Sequence, residues 1–345
     1  MAYTTIDLPT DYFNTVTYTG NGVGGTNITG VGFQPDLVWI KRRSAVEYHV
    51  WNDAVRGVPK NIYSNVTNAE DTGSLMSAII SDGFTVQTDG SVNGSGSTYV
   101  AWNWLGANTT VSNTSGTITS TVSANTTSGF SIVSYTGNGS SGATVGHGIG
   151  STVGMILLKG RSFSDNWAVY HKSIGGTGLL ELNGTGGTNT ISTRWNNTNA
   201  GATVFTLGNN SQVNNSGSTY VAYCFAEIKG YSKAFSYTGN GSSDGTFVYC
   251  GFRPAWILRK RTDSGGDWYI EDNKRNTYNP VDLILQPNLS STEGTASSMS
   301  VDFLSNGFKV RGPSLDGNAS SGTYIGIAFS ENPFVSSGGI PTTAR

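Results

Sequence analysis

The pentapeptide Tyr-Thr-Gly-Asn-Gly occurs three times, at residues 18–22, 135–139 and 237–241. Each copy leads through a Gly-rich stretch to an apolar run that ends in a basic residue: 37–41, 155–159 and 256–260. Each unit then closes on Thr-Tyr, at Tyr99, Tyr220 and Tyr324. From first to last tyrosine the units measure 81, 85 and 87 residues (18 to 99, 135 to 220, 237 to 324). Nearly constant spacing means small insertions on one underlying unit, so the chain is a tandem repeat before it is anything else.

Three units in 345 residues put each close to the common domain size of about 100 residues. Charged residues are only 12% and the formal charge is −2. Such a surface has no long-range field to gather nucleic acid or an anionic membrane, so neither is expected as a partner. Cys224 and Cys250 cannot build a disulfide framework and have no zinc-site spacing, which leaves them as small core residues. The N-terminus lacks the basic and apolar regions of a secretion signal, and no apolar run approaches the roughly 18 residues that span a bilayer. Synthesis in a cytoplasm without membrane insertion is therefore expected.

Helical periodicity is scarce, while short apolar runs punctuated by Gly and Asn recur throughout, as in an all-β chain. The Asn-Gly of each pentapeptide reads as a type I′ hairpin turn opening each unit. The closing segments alternate strictly. Val100, Trp102 and Trp104, then Val221, Tyr223 and Phe225, then Ile325, Ile327 and Phe329 form one face, with small residues such as Ala101, Ala222, Cys224 and Gly326 opposite. A period of two that sorts side chains by size predicts a strand with one face in a thick core and the other against a close layer. The runs ending at Lys41, Lys159 and Lys260 are continuously apolar and predict inner strands covered on both faces. Trp51, Trp167 and Trp268 follow the basic clusters at similar distances and read as core.

The expected architecture is three tandem antiparallel β-sandwich, jelly-roll-like modules: residues 1–106, 107–228 and 229–345. Residues 107–128 are almost all Ser, Thr, Asn and Gly and read either as a linker or as an edge strand of the second module. The second module lacks the Asp82-Gly83-Phe84 or Asn306-Gly307-Phe308 turn of its siblings. After Phe334 the chain reads as a loose tail.

Chemistry is harder to find. His49, His147 and His171 occupy unrelated places in the repeat, and nothing in the sequence pairs an imidazole with a nucleophile. A glycosidase needs two carboxylates across a cleft. The candidates, Glu70 with Asp71, Asp267 with Glu271 and Asp272, and the lone Glu181 and Glu227, do not recur as a pair in every unit. No catalytic residue, metal ligand or cofactor is therefore assigned. The basic clusters at residues 41–43, 159–161 and 259–261 either enter solvent at strand ends or meet an anionic partner. Trp195, between Arg194 and Asn196 in a polar loop, reads either as a ring that stacks on a sugar or as a satellite core residue. These three residues are the candidate ligand contacts.

As a set, Met-Ala-Tyr-Thr-Thr-Ile-Asp at the start, the three pentapeptides, Tyr-Val-Ala-Tyr-Cys-Phe-Ala-Glu at 220–227, Asn-Gly-Phe-Lys at 306–309 and Glu-Asn-Pro-Phe at 331–334 resemble a family of tailed bacteriophages, especially marine ones. Its members are generally labelled tail fibre or virion structural proteins with a repeated domain. The resemblance implies a virion location, reached after synthesis in the host cytoplasm, with other virion proteins as partners and contact with the host. Together these readings give the expectation of a non-enzymatic tail component, a homo-oligomer whose loops touch host surface glycans. A capsid decoration protein and, further off, a polysaccharide depolymerase are the alternatives.

Overall fold

The computed structural model describes residues 3–342. The outermost residues of the first and third expected modules, and Met1 and Ala2 of the opening motif, lie outside that range. The chain is all-β, with several antiparallel sheets and only short helical turns.

Each repeat builds one larger sheet around its closing strand: Thr98–Trp104, Thr219–Ala226 or Thr323–Pro333. On one side runs the opening strand that carries the pentapeptide's tyrosine, Phe13–Thr19, Phe130–Thr136 or Ser232–Thr238. On the other runs the basic-ended strand, Leu37–Arg42, Val153–Gly160 or Phe252–Arg261. A fourth strand follows: His49–Asp53, Ala168–His171 or Trp268–Asp272. A smaller sheet pairs Thr26–Thr29 with Gly83–Val86, Ala143–Gly146 with Val204–Leu207, and Phe247–Tyr249 with Gly307–Val310.

The alternation of the closing strands sorts side chains between two kinds of core. Val100, Trp102, Trp104, Val221, Tyr223, Phe225, Ile325, Ile327 and Phe329 all enter one central cluster to which every repeat contributes. Ala101, Ala222 with Cys224, and Ala328 face three separate outer clusters, each between a larger sheet and its smaller one. The basic-ended strands divide in the same way, Trp39 and Leu157 inward and Ile40 and Ile156 outward, so both faces are covered. The centre is aromatic: the ring of Trp256 lies 5.7 Å from Trp104 and 6.3 Å from Trp102, and Phe225 lies 5.8 Å from Phe329. Rings at these separations add to stability beyond the area they bury. Trp51, Trp167 and Trp268 belong to this cluster.

The pentapeptide does not make the expected type I′ hairpin. Gly22, Gly139 and Gly241 have φ of 72°, 73° and 69°, but the preceding asparagines do not, and each opening strand pairs with the distant closing strand instead. The segment is a crossover from the larger to the smaller sheet. It is held by an asparagine from a short helical turn: Asn93, Asn214 or Asn318, each fully buried. The Oδ1 of these residues accepts from the backbone N–H of Asn21, Asn138 and Asn240, at 3.0, 2.9 and 3.0 Å. Their Nδ2 groups donate to Val23, Ser140 and Ser242 carbonyls at 2.8, 2.9 and 2.7 Å. The paired tyrosines stack above, with ring centres 5.0, 5.1 and 4.7 Å apart.

Repeat two departs where its missing turn suggests. The short helix Ser192–Trp195 stands where the others place Met76–Ile80 and Val301–Leu304, so its smaller sheet has two strands. Ser120–Asn125 pairs with the opening strand Phe130–Thr136 and with Val111–Asn113 at one edge of the larger sheet, and Gly178–Glu181 with Asn189–Thr190 extend the other edge, for eight strands in all. Beyond Phe334 the tail folds back, with Ser337 bonded to Asp7 and Thr342 N–H donating to the Phe334 carbonyl at 2.9 Å.

Candidate functional site at the repeat junctions

Of the two readings of Trp195, the structure shows the satellite core residue and not an accessible sugar-stacking ring. The indole is 1% exposed and meets the Tyr170 ring edge-on at 5.8 Å, because strands distant in sequence supply the apolar neighbours that its own loop lacks. Arg194 is buried with it, donating to the Leu180 carbonyl at 2.9 Å and to Glu181 at 3.3 Å. Asn196 takes a left-handed conformation and accepts from the Ser141 hydroxyl at 2.8 Å. The three residues shape an outer core and turn.

The histidines are internal too. His171 Nε2 lies 3.1 Å from the Gly326 carbonyl and its Nδ1 accepts from Ser173 N–H, which places the proton on Nε2. His147 approaches the Gly201 carbonyl at 3.3 Å, and His49 accepts from the Trp39 indole at 3.0 Å. Burial depresses the imidazoles, to about 4 for His147 and His171 and well below the ordinary value for His49. The carboxylates singled out by sequence are likewise engaged. Glu271 pairs with Arg259 in full burial, Asp272 with Arg275, Asp267 with Gln286 and Asn288, Asp71 with Asn61 and Tyr63, and Glu227 with Lys172.

The lysines of the basic clusters do not end in solvent; they reach across to the neighbouring repeat. Lys41 donates to the Ser290 carbonyl at 3.0 Å, Lys159 to Thr67 at 3.1 Å, and Lys260 to Thr185 at 3.2 Å. Repeat one thus holds three, two holds one, and three holds two, which closes a ring of contacts. Burial lowers each ammonium to about 8. The same ring recurs in the backbone, where Glu293, Glu70 and Thr188 N–H groups donate to the carbonyls of Arg43, Arg161 and Thr262.

Two of these junctions carry an identical ionic strap. At one, Asp53 and Glu70 flank Arg56, and Glu70 also takes a two-pronged pair from Arg161 at 2.8 and 3.0 Å. At the other, Asp272 and Glu293 flank Arg275, and Arg43 grips Glu293 in the same way. Each aspartate also accepts from an aromatic donor of the next repeat, Tyr223 to Asp53 at 2.7 Å and Trp102 to Asp272 at 3.1 Å. Burial raises the Glu70 carboxyl, but Arg161 and Arg56 outweigh it and leave the group below its ordinary value.

The third junction, between repeats two and three, has the same backbone contact and none of the strap. In order, the two aspartate, arginine, glutamate and second-arginine positions hold His171, Ile174, Thr188 and Thr262. Where Arg161 crosses the opening strand to donate to Ser134 at 2.9 Å, Thr262 turns back to Thr323, with hydroxyls 2.7 Å apart. A cleft of ≈ 570 Å³ opens there, lined by Ile174, Thr188, Ser236, Tyr237, Thr262 and Thr323 among others. A second concavity of ≈ 360 Å³ shares Ser173, Ser236 and Tyr237 with it and continues the groove to Phe247 and Tyr249. Sequence reasoning missed this place. The signal was present, since aligning the repeats shows the substitutions at four positions, but only the fold reveals that those positions meet.

A chain of three repeats joined by one aromatic core, with a ring of junctions of which one is open, defines a class of all-β repeat scaffold. The chain belongs to the family described as "Domain of unknown function (DUF7483)", whose profile matches residues 8–333 and so spans all three repeats. A search of curated proteins finds no match.

Proposed function

We propose that this chain is a non-enzymatic virion structural protein of a tailed phage, a tail-fibre or tail-tip component that presents polar surfaces to host glycans. In this reading each repeat is a sandwich-like module, and copies associate with one another and with other virion proteins. The observation that carries it is the closed ring of buried inter-repeat contacts around one aromatic core, which suits a body that must stay rigid outside a cell. The commitment of the histidines and candidate acids to internal pairing supports a presenting role over a chemical one. Many weak contacts from a multimeric particle then add up to firm attachment. The phage assignment draws its support from the motif set in the sequence.

Gold-labelled antibody against the chain, applied to intact particles, is expected to mark the tail. Labelling confined to the capsid shell would replace this reading with a decoration protein, and new reducing ends from host capsule incubated with purified chain would replace it with a depolymerase.

A further inference from the structure

We propose that the open junction between repeats two and three is a binding site for a neutral oligosaccharide. Three pseudo-equivalent junctions provide an internal control for what this place would look like if its role were only to hold repeats together. Two of them are filled by two arginines, an aspartate and a glutamate in one connected network. In the third, all four positions are neutral or nearly so, and the space vacated by the second arginine and the glutamate is the cleft. Replacing one partner of a buried ionic network leaves a stranded charge; replacing all of them together leaves a neutral cavity.

The lining sets the ligand class. Most of the residues around the cleft are Ser or Thr, and among the described residues no Asp, Glu, Lys or Arg lines it. Hydroxyls that both donate and accept suit a polyhydroxyl ligand, while an anionic sugar would meet no counter-charge in the cleft itself. The volume is that of an ordinary small-ligand pocket, about 300–1,000 Å³. Where the groove continues, Phe247 and Tyr249 are 42% and 55% exposed, apolar faces beside the polar floor that can cover a pyranose ring. The two lysines of that end, Lys172 and Lys233, are turned to Glu227.

The inference rests on the glycan-presenting reading above and assigns it a place, so the test separates the two. The full-length chain is titrated with neutral tetrasaccharides of glucose, galactose, mannose and N-acetylglucosamine, and with sialylated and sulfated ones, using saturation-transfer NMR and calorimetry. At least one neutral tetrasaccharide is expected to bind, and the acidic ones more weakly. The double variant T188E/T262R restores the glutamate and second arginine of the strap, the pair whose place the cleft occupies, and is expected to weaken binding at least tenfold, with melting temperature unchanged or raised. S236W, at an exposed position on the cleft floor, is the second variant and is expected to do the same if the first misfolds. Neutral-sugar binding retained by a folded variant would overturn the cleft while leaving glycan presentation standing. Preference for acidic sugars, or no binding by the parent chain, would also overturn it; the tail location stands or falls on particle labelling alone.

Discussion

Burial of an imidazole has a consequence that can be measured at a single residue. His147 and His171 titrate near 4 in the folded chain against an ordinary 6.5, so below about pH 6.5 the unfolded chain takes up protons that the folded chain refuses. Stability is therefore fully present above that pH and declines as pH falls toward about 4. His171→Gln keeps a donor for the Gly326 carbonyl but cannot be protonated in this range. The variant should show a shallower decline of urea midpoint between pH 6.5 and 4 than the parent; parallel curves would contradict the assignment. No partner for His171 is legible in the sequence because the Gly326 carbonyl lies 155 positions away. Trp195 stayed open between stacking ring and satellite core residue for the same reason: a polar local sequence says nothing of the Tyr170 ring that a remote strand brings to it.

At the scale of elements, the short turn that ends in Asn93, Asn214 or Asn318 is the device that organises each repeat. Its asparagine joins the crossover after the opening strand to the turn before the closing strand. It stands six residues before the closing tyrosine in every copy, a recurrence that was legible but resembled the general abundance of Asn. Asn214→Ala leaves the buried Gly208 carbonyl, and the partly buried Ser140 carbonyl and Asn138 N–H, without this partner. We expect a loss of about 2–4 kcal/mol in denaturant unfolding, from buried groups that cost roughly 1–3 kcal/mol each when unpaired. A loss under about 0.5 kcal/mol would mean that water or local rearrangement satisfies the site. The closing strands, by contrast, were fully readable, because alternation of large and small side chains is a local pattern that tertiary packing had no reason to override.

Over the whole molecule, the central cluster makes the stability of each repeat depend on the other two. Trp256 touches Trp39, Trp102 and Trp104 of repeat one and Phe329 of its own. Trp256→Ala should cost about 3–5 kcal/mol, the usual range for emptying a large aromatic site. Because that loss falls on a shared core, unfolding followed by far-ultraviolet dichroism, near-ultraviolet dichroism and fluorescence should trace one coincident transition. Separate transitions would mean that the outer clusters suffice to hold each repeat alone. The sequence by itself determined that the chain is β-built, that it repeats, and which face of each closing strand is large, since these follow from short-range periodicity. Only the tertiary structure decided that the large faces converge on one centre, that the basic clusters reach the neighbouring repeat, and that one junction of three stands open. Those outcomes depend on contacts between residues 74 to 250 positions apart, and no local pattern encodes which distant partner a side chain meets.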